Sequence, residues 1–222
     1  MARVAVCLSG CGVKDGCEIH EAVLTLLALD QAKAQILCCA PNADQSAVVN
    51  HLTGQAVPGE KRNILVESAR IARGQIKDLA EVRAADIDAV IFPGGFGAAM
   101  NLCSFATDGP SCRVHPEVER LIGEMLVAHK PIGAICIAPA MLARVLGGRK
   151  VAGRVTIGTD AGTAAAIEKM GVRHESCACE GVVVDERNRL VTTPAYMLGR
   201  GPREVFEGIK SLVGEVLRLA VG

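Results

Sequence analysis

Cys136 sits where a sequence can make a cysteine reactive. It ends the apolar run Pro131-Ile132-Gly133-Ala134-Ile135, and Ile137-Ala138-Pro139 follows at once. A strand that runs straight into a helix makes a sharp elbow, and Pro139 fits a first helical turn, where its missing N–H costs nothing. The N–H groups of that helix would point at the sulfur and hold its pKa below the free value of ~8.5. The same pattern also suits an inert cysteine packed at a tight turn. Gly94 and Gly95 follow another short apolar run, Asp88 to Phe92, and Pro93. Their amides, with the N–H of Ile137, would form an oxyanion hole facing the sulfur. The plainer alternative is a turn that needs glycine for positive φ.

An acid is the third element of such a site. Asp15 and Glu18 have the spacing of a capping box for a first helix, which gives Glu18 a structural explanation. Glu21 falls off the Ile19/Val23/Leu26 face, on a side it shares with Leu24 and Ala28. A carboxyl at the head of an apolar stripe is partly desolvated, which raises its pKa and favours the protonated form. Protonated, it would donate a hydrogen bond to a thiolate. The simpler role is a first-turn glutamate complementing the helix dipole. Leu24 and Ala28, lying off the main core face, also suggest a covered interface.

Other clusters are weaker. His115-Pro116-Glu117 reads as a helix start with proline in its first turn. Cys177-Ala178-Cys179 with His174 is the nearest approach to a metal set, but structural zinc shows a wider, repeated spacing. Gly10-x-Gly12-x-x-x-Gly16 opens a helix after a strand, and Asp44 follows the second strand. That spacing is not the dinucleotide fingerprint. No cofactor and no metal are expected.

The elements that must hold these residues alternate. Arg3 to Leu8 and Gln35 to Ala40 are β-rich, and Ile19, Ala22, Val23, Leu26 and Leu27 repeat between them at helical spacing. Helical segments are expected near Asn63 to Arg73, Glu117 to Ala128, Pro139 to Leu146, Ala164 to Met170 and Arg203 to Leu219. Gly181 to Val184 and Leu190 to Thr193 read as a late strand pair. Such alternation implies an α/β fold with a mostly parallel sheet and helices on both faces. Chemistry then sits beyond the carboxyl ends of the strands, where the loops at Ser9 to Gly16, Pro93 to Gly97 and Gly133 to Pro139 emerge on one edge.

The 222 residues are half apolar and carry 24 basic against 24 acidic side chains. No linker divides them, so residues 1–222 read as one domain. Scattered charge argues against nucleic acid or a membrane surface as partner. One Tyr, four Phe and no Trp leave no base-stacking platform. The apolar start is too short to span a membrane and lacks a cleavage site, so a cytoplasmic chain is expected. Ten cysteines in a chain with ample core need not be staples, and Cys7, Cys38 and Cys39 lie in apolar strands.

Several segments agree in order and spacing with a known family. Ser9-Gly10-Cys11-Gly12, Asp15-Gly16, Glu18-Ile19-His20-Glu21-Ala22, Pro93-Gly94-Gly95-Phe96-Gly97-Ala98-Ala99, Cys136-Ile137-Ala138-Pro139 and Thr192-Thr193-Pro194-Ala195 resemble the ElbB family. That family belongs to the Parkinson-associated deglycase/PfpI, class I glutamine-amidotransferase-like superfamily, and its bacterial members are named for isoprenoid production. The resemblance implies a flavodoxin-like three-layer sandwich, a nucleophile at Cys136 and a glutamate beside it, matched through Gly16 to Glu21. It also implies cofactor-independent glyoxalase chemistry on a small aldehyde, glyoxal to glycolate, with deglycase activity as a related form. Homodimers are common among such relatives. The chain departs at Ile137, where typical superfamily enzymes carry histidine. Glu18, His20 and Asp160, the last near where relatives carry a late histidine, are possible supporting residues. Without the histidine, a redox or metabolite sensor with an oxidisable Cys136 is the competing function, and nucleotide binding at the first glycine loop a third.

Overall fold

A computed structural model describes residues 1–221. In chain order its strands and helices are β1 (Arg3–Cys7), α1 (Ile19–Gln31), β2 (Gln35–Ala40), α2 (Ile64–Ile71), β3 (Ile76–Asp78), β4 (Ala89–Phe92), α3 (Phe96–Met100), α4 (Phe105–Asp108), α5 (Pro116–Val127), β5 (Ile132–Ile135), α6 (Ala138–Gly148), β6 (Arg154–Val155), α7 (Ala161–Lys169), β7 (Arg173–His174), β8 (Val183–Asp185), β9 (Leu190–Thr193) and α8 (Pro202–Val221). Seven strands form one sheet in the order β3-β2-β1-β4-β5-β9-β8. Every pairing is parallel except β8 with β9. β6 and β7 make a separate parallel pair that the sequence pattern did not indicate.

The central strands are apolar on both faces because helices cover both. Ala5, Cys7, Val90, Phe92, Ile132 and Ala134 point into a core shared with Leu121 and Met125 of α5 and Leu142 and Leu146 of α6. Val4, Val6, Ala89, Ile91 and Val191 point the other way, onto Ala22 and Leu29 of α1 and Ile209, Leu212 and Val216 of α8. This is the three-layer α/β sandwich expected. All ten cysteines are free thiols, and Cys7, Cys38 and Cys39 are buried in their strands.

The first helix differs from expectation in two respects. Its N-cap is Glu18, whose carboxylate accepts the N–H of Glu21 at 2.7 Å. Asp15 is no part of the cap: its Oδ2 accepts from the Val49 amide at 2.7 Å. The helix is also rotated. Glu21, Ala22, Thr25, Ala28 and Leu29 face inward, while Ile19, Val23 and Leu27 face solvent. Small side chains at Ala22, Thr25 and Ala28 let α8 pack close, so the larger apolar residues are left outside.

Candidate active site

Cys136 follows β5 directly and holds φ at 62°, a left-handed conformation that costs a β-carbon residue strain. Its N–H donates to the Thr193 carbonyl at 2.9 Å, tying the elbow to β9. Ile137 then caps α6, with Pro139 in the first turn. The expected elbow is present, and the amides of Gly95 and Ile137 are directed at the sulfur.

Glu21 reaches this point from α1 and is fully buried. Its Oε2 accepts from the Gly94 amide at 2.9 Å and its Oε1 from the Tyr196 amide at 3.2 Å. Its carboxyl is also a hydrogen-bond partner of the Cys136 thiol. Burial, partly opposed by the Tyr196 amide, pushes the Glu21 pKa up to about 8. The Cys136 thiol is raised well above its ordinary range by burial and then by the Glu21 charge; the Gly95 amide opposes this without overcoming it. The expected depression of the Cys136 pKa is therefore overturned: two helix-terminal dipoles do not offset removal from water beside a carboxylate. The Gly94 amide is likewise not free to hold an oxyanion, because Glu21 occupies it. Gly95 and Ile137 remain for that role.

Gly94 and Gly95 have little freedom to be anything else. A Cβ on Gly94 would lie 2.5 Å from the Cys136 Cβ and 2.7 Å from Glu21 Oε2. One on Gly95, where φ is 89°, would lie 2.4 Å from the Glu18 nitrogen. Close backbone approach, and not only turn geometry, requires them.

A cavity of about 360 Å³ opens over the sulfur. Val13, Glu18, Phe96, Phe105, Ile137, Tyr196 and Met197 line it, with Gly95, Ala99 and Ala106. A larger depression of about 730 Å³, around Glu180, Arg200 and Glu207, holds no nucleophile. His20 reaches the site through Tyr196, its Nδ1 2.7 Å from the Tyr196 hydroxyl. Tyr196, the chain's one tyrosine, is the participant the sequence reading missed. Its place in a turn just after β9, on the edge that carries the other loops, was the available signal.

Asp160 does not join the site: it is exposed and caps α7, accepting from the Thr163 amide at 2.7 Å. Cys17 lies just before α1 and is fully buried. His115 caps α5 as expected, its Nδ1 accepting from the Glu117 amide at 3.3 Å. No metal set forms among the described residues. His174 Nε2 is taken up by the Ile157 amide at 3.3 Å, and the Cys179 thiol donates to the Ala195 carbonyl at 3.5 Å. The first glycine loop spends its amides internally, Gly12 on the Cys17 carbonyl and Gly16 on the Gly12 carbonyl, and Gly10 on the Ser68 hydroxyl. Asp44 faces Lys61 at 3.5 Å. The three glycine amides of that loop are therefore not turned to a nucleotide phosphate.

A mostly parallel sheet in this order, with a cysteine on the elbow after β5, defines a class I glutamine amidotransferase-like protein. The chain belongs to the DJ-1/PfpI family, whose model matches residues 11–198. It is 49% identical to the human protein named glutamine amidotransferase-like class 1 domain-containing protein 3, mitochondrial, over 98% of this chain and 83% of that one. It is 46% identical to the rat protein named ES1 protein homolog, mitochondrial, over 98% of this chain and 84% of that one. The crystal structure of an isoprenoid biosynthesis protein with amidotransferase-like domain from Ehrlichia chaffeensis superposes with a TM-score of 0.92 at 40% identity, covering 99% of both chains. Among the described residues no helix is long and apolar enough to cross a membrane.

Proposed function

We propose that Cys136 and Glu21 form a nucleophile and proton-shuttle pair acting on a small aldehyde, in a cofactor-independent glyoxalase reaction of the ElbB type. The observation that carries this is the Glu21 carboxyl, buried against the thiol with a pKa near that of a working general base, about 8. Ionised Glu21 takes the thiol proton as sulfur bonds to the aldehyde carbon of glyoxal. The amides of Gly95 and Ile137 hold the resulting oxyanion, and Glu21 returns the proton to it, leaving a hemithioacetal. Glu21 next removes the proton from that carbon, giving an enediolate, and delivers it to the neighbouring carbon, while the hydroxyl proton of the first carbon passes to the oxygen of the second. The product is a thioester of glycolate. Water cleaves it, releasing glycolate and restoring the thiol.

The missing histidine bears on alternatives. Glutamine hydrolysis of the usual kind relies on a histidine paired with the cysteine, and Ile137 stands in that place. A sensor that works by oxidation needs a thiolate at neutral pH, which the raised Cys136 pKa opposes. The 40% identity to the isoprenoid biosynthesis protein supports the finer family assignment. A mitochondrial setting, the location in the names of both relatives, stands beside the cytoplasmic one expected from the sequence.

The test is glycolate formation from glyoxal as a function of pH, with Cys136→Ser as control. We expect turnover that rises with pH through about 8 as Glu21 ionises, and no ammonia from glutamine. Glyoxal consumption that survives Cys136→Ser would sink the proposal.

A further inference from the structure

A second pair of sulfurs closes the segment between α3 and α5. Cys103 and Cys112 flank residues 104–111, which hold α4 and the turn after it. The two ends are zipped together. Cys103 pairs with Val114 in an antiparallel bridge, the Ser104 amide donates to the Arg113 carbonyl at 2.9 Å, and the His115 amide to that of Leu102 at 2.8 Å. Both cysteines are buried, and their side chains are hydrogen-bond partners. The Cys103 thiol also lies 3.3 Å from the Ala98 carbonyl. Arg144 reaches in from α6, its Nε donating to the Cys112 carbonyl at 2.7 Å. A cavity of about 330 Å³, lined by Cys112, Glu119 and Arg144 among others, opens beside the pair.

We propose that Cys103 and Cys112 form a dithiol that closes reversibly to a disulfide and staples the wall of the Cys136 cavity. The wall is involved because Phe105 and Ala106, which line that cavity, lie between the two sulfurs in the chain. The staple would close a short loop whose ends the backbone already holds together.

The two sulfurs have distinct roles. Its hydrogen bond with Cys103 pulls the Cys112 thiol below its usual range against burial, and the Arg144 charge adds to this. The same hydrogen bond and burial push Cys103 far up. Cys112 also lines the open cavity beside Arg144, whereas the Cys103 thiol is turned onto the Ala98 carbonyl, so Cys112 is the attacking sulfur and Cys103 the resolving one. The oxidant is a hydroperoxide, hydrogen peroxide in the simplest case. Cys112 sulfur attacks its oxygen, the O–O bond breaks, and the departing hydroxide takes up a proton to leave as water. Cys103 sulfur then displaces hydroxide from the resulting sulfenic acid, its own proton leaving with that hydroxide as a second water. Two thiols and one peroxide give one disulfide and two waters, and an external dithiol reverses the change.

One tryptic peptide, Ala84–Arg113, contains both residues and no other cysteine. The native chain is treated with hydrogen peroxide, unfolded, alkylated with iodoacetamide and mapped. We expect this peptide to be lighter by two hydrogens and unalkylated, and to regain two alkylation sites after dithiothreitol. Cys112→Ser should abolish the loss. Cys103→Ser should leave Cys112 as a sulfenic acid that dimedone traps. Two alkylated cysteines at a peroxide dose that oxidises Cys11 or Cys177 would overturn the proposal. For the link to the cavity, iodoacetamide modification of native Cys136 should be several-fold slower in the oxidised protein than in oxidised Cys112→Ser. Equal rates would remove that link. Neither readout uses turnover, so both stand apart from the fate of the glyoxalase reading.

Discussion

At the scale of single residues, burial controls both members of the pair. Glu21 titrates near 4.5 when unperturbed and at about 8 in the fold. Between those values the folded protein keeps a proton that the unfolded chain has released. The contribution of Glu21 to stability is therefore full below about 4.5, falls as pH rises, and levels off above about 8, with a slope of about 1.4 kcal/mol per pH unit. Glu21→Gln keeps the shape and removes the titration. Thermal melts should show the variant gaining on the parent across that window and holding a constant lead above it, while aldehyde turnover drops by about two to four orders of magnitude. A melting difference that ignores pH would mean that Glu21 is not buried as described. The thiol makes a second case. Cys136, Cys17, Cys11 and Cys177 are all raised by burial, the first two most. Accessibility then decides the order, so limiting iodoacetamide near neutral pH should label the half-buried Cys11 and Cys177 before Cys136. This reverses the order that the elbow alone suggests. Peptide mapping that finds Cys136 first would show that its helix-terminal amides outweigh burial after all.

At the scale of elements, β5 with α6 and β4 with its glycines were legible, because a β-rich run ending in Gly or Cys just before a proline-marked helix has few other readings. The late hairpin of β8 and β9 was legible for the same reason: an apolar pair around the polar turn Asp185 to Asn188. The orientation of α1 was not. Ile19, Val23 and Leu26 look like its core face, yet packing prefers Ala22, Thr25 and Ala28, whose size lets α8 approach, and hydropathy carries no record of interhelical distance. The double duty of backbone groups was also hidden. Gly94 gives its N–H to Glu21 and its carbonyl to the Glu18 amide at 2.9 Å, so one glycine orients the acid and anchors the start of α1. Gly94→Ala should therefore cost both. Its Cβ would push Cys136 and Glu21 apart, and we expect turnover to fall at least as far as in Glu21→Gln, with a lowered melting temperature that Glu21→Gln does not share above pH 8. Retention of activity in Gly94→Ala would show that the close approach is not needed for chemistry.

At the scale of the whole molecule, one feature of the surface is at odds with a chain that acts alone. The expected interface at Leu24 and Ala28 is ruled out by packing within the chain, since Ala28 is buried and Leu24 packs against the same core. The rotation that buries them exposes Ile19, Val23 and Leu27 at 42%, 47% and 41%. Val23 and Leu27 continue into a shallow depression with Leu26, Ile36 and Ile71. Single exposed apolar residues are ordinary, but a stripe along one helix beside an apolar hollow is the kind of surface that association removes from water. The expectation of a homodimer accordingly moves to the outer face of α1, where a two-fold arrangement would set one stripe against its copy. The same helix begins at the site, with Glu18 as its cap and His20 and Glu21 in its first turn. Association should thus hold the helix that positions the acid. We expect light scattering at micromolar concentration to give the mass of two chains. Val23→Lys with Leu27→Lys, both at solvent-facing positions, should give the mass of one chain with the melting temperature lowered only modestly. A parent that is already monomeric, or a double variant that stays paired, would place any interface elsewhere on the molecule.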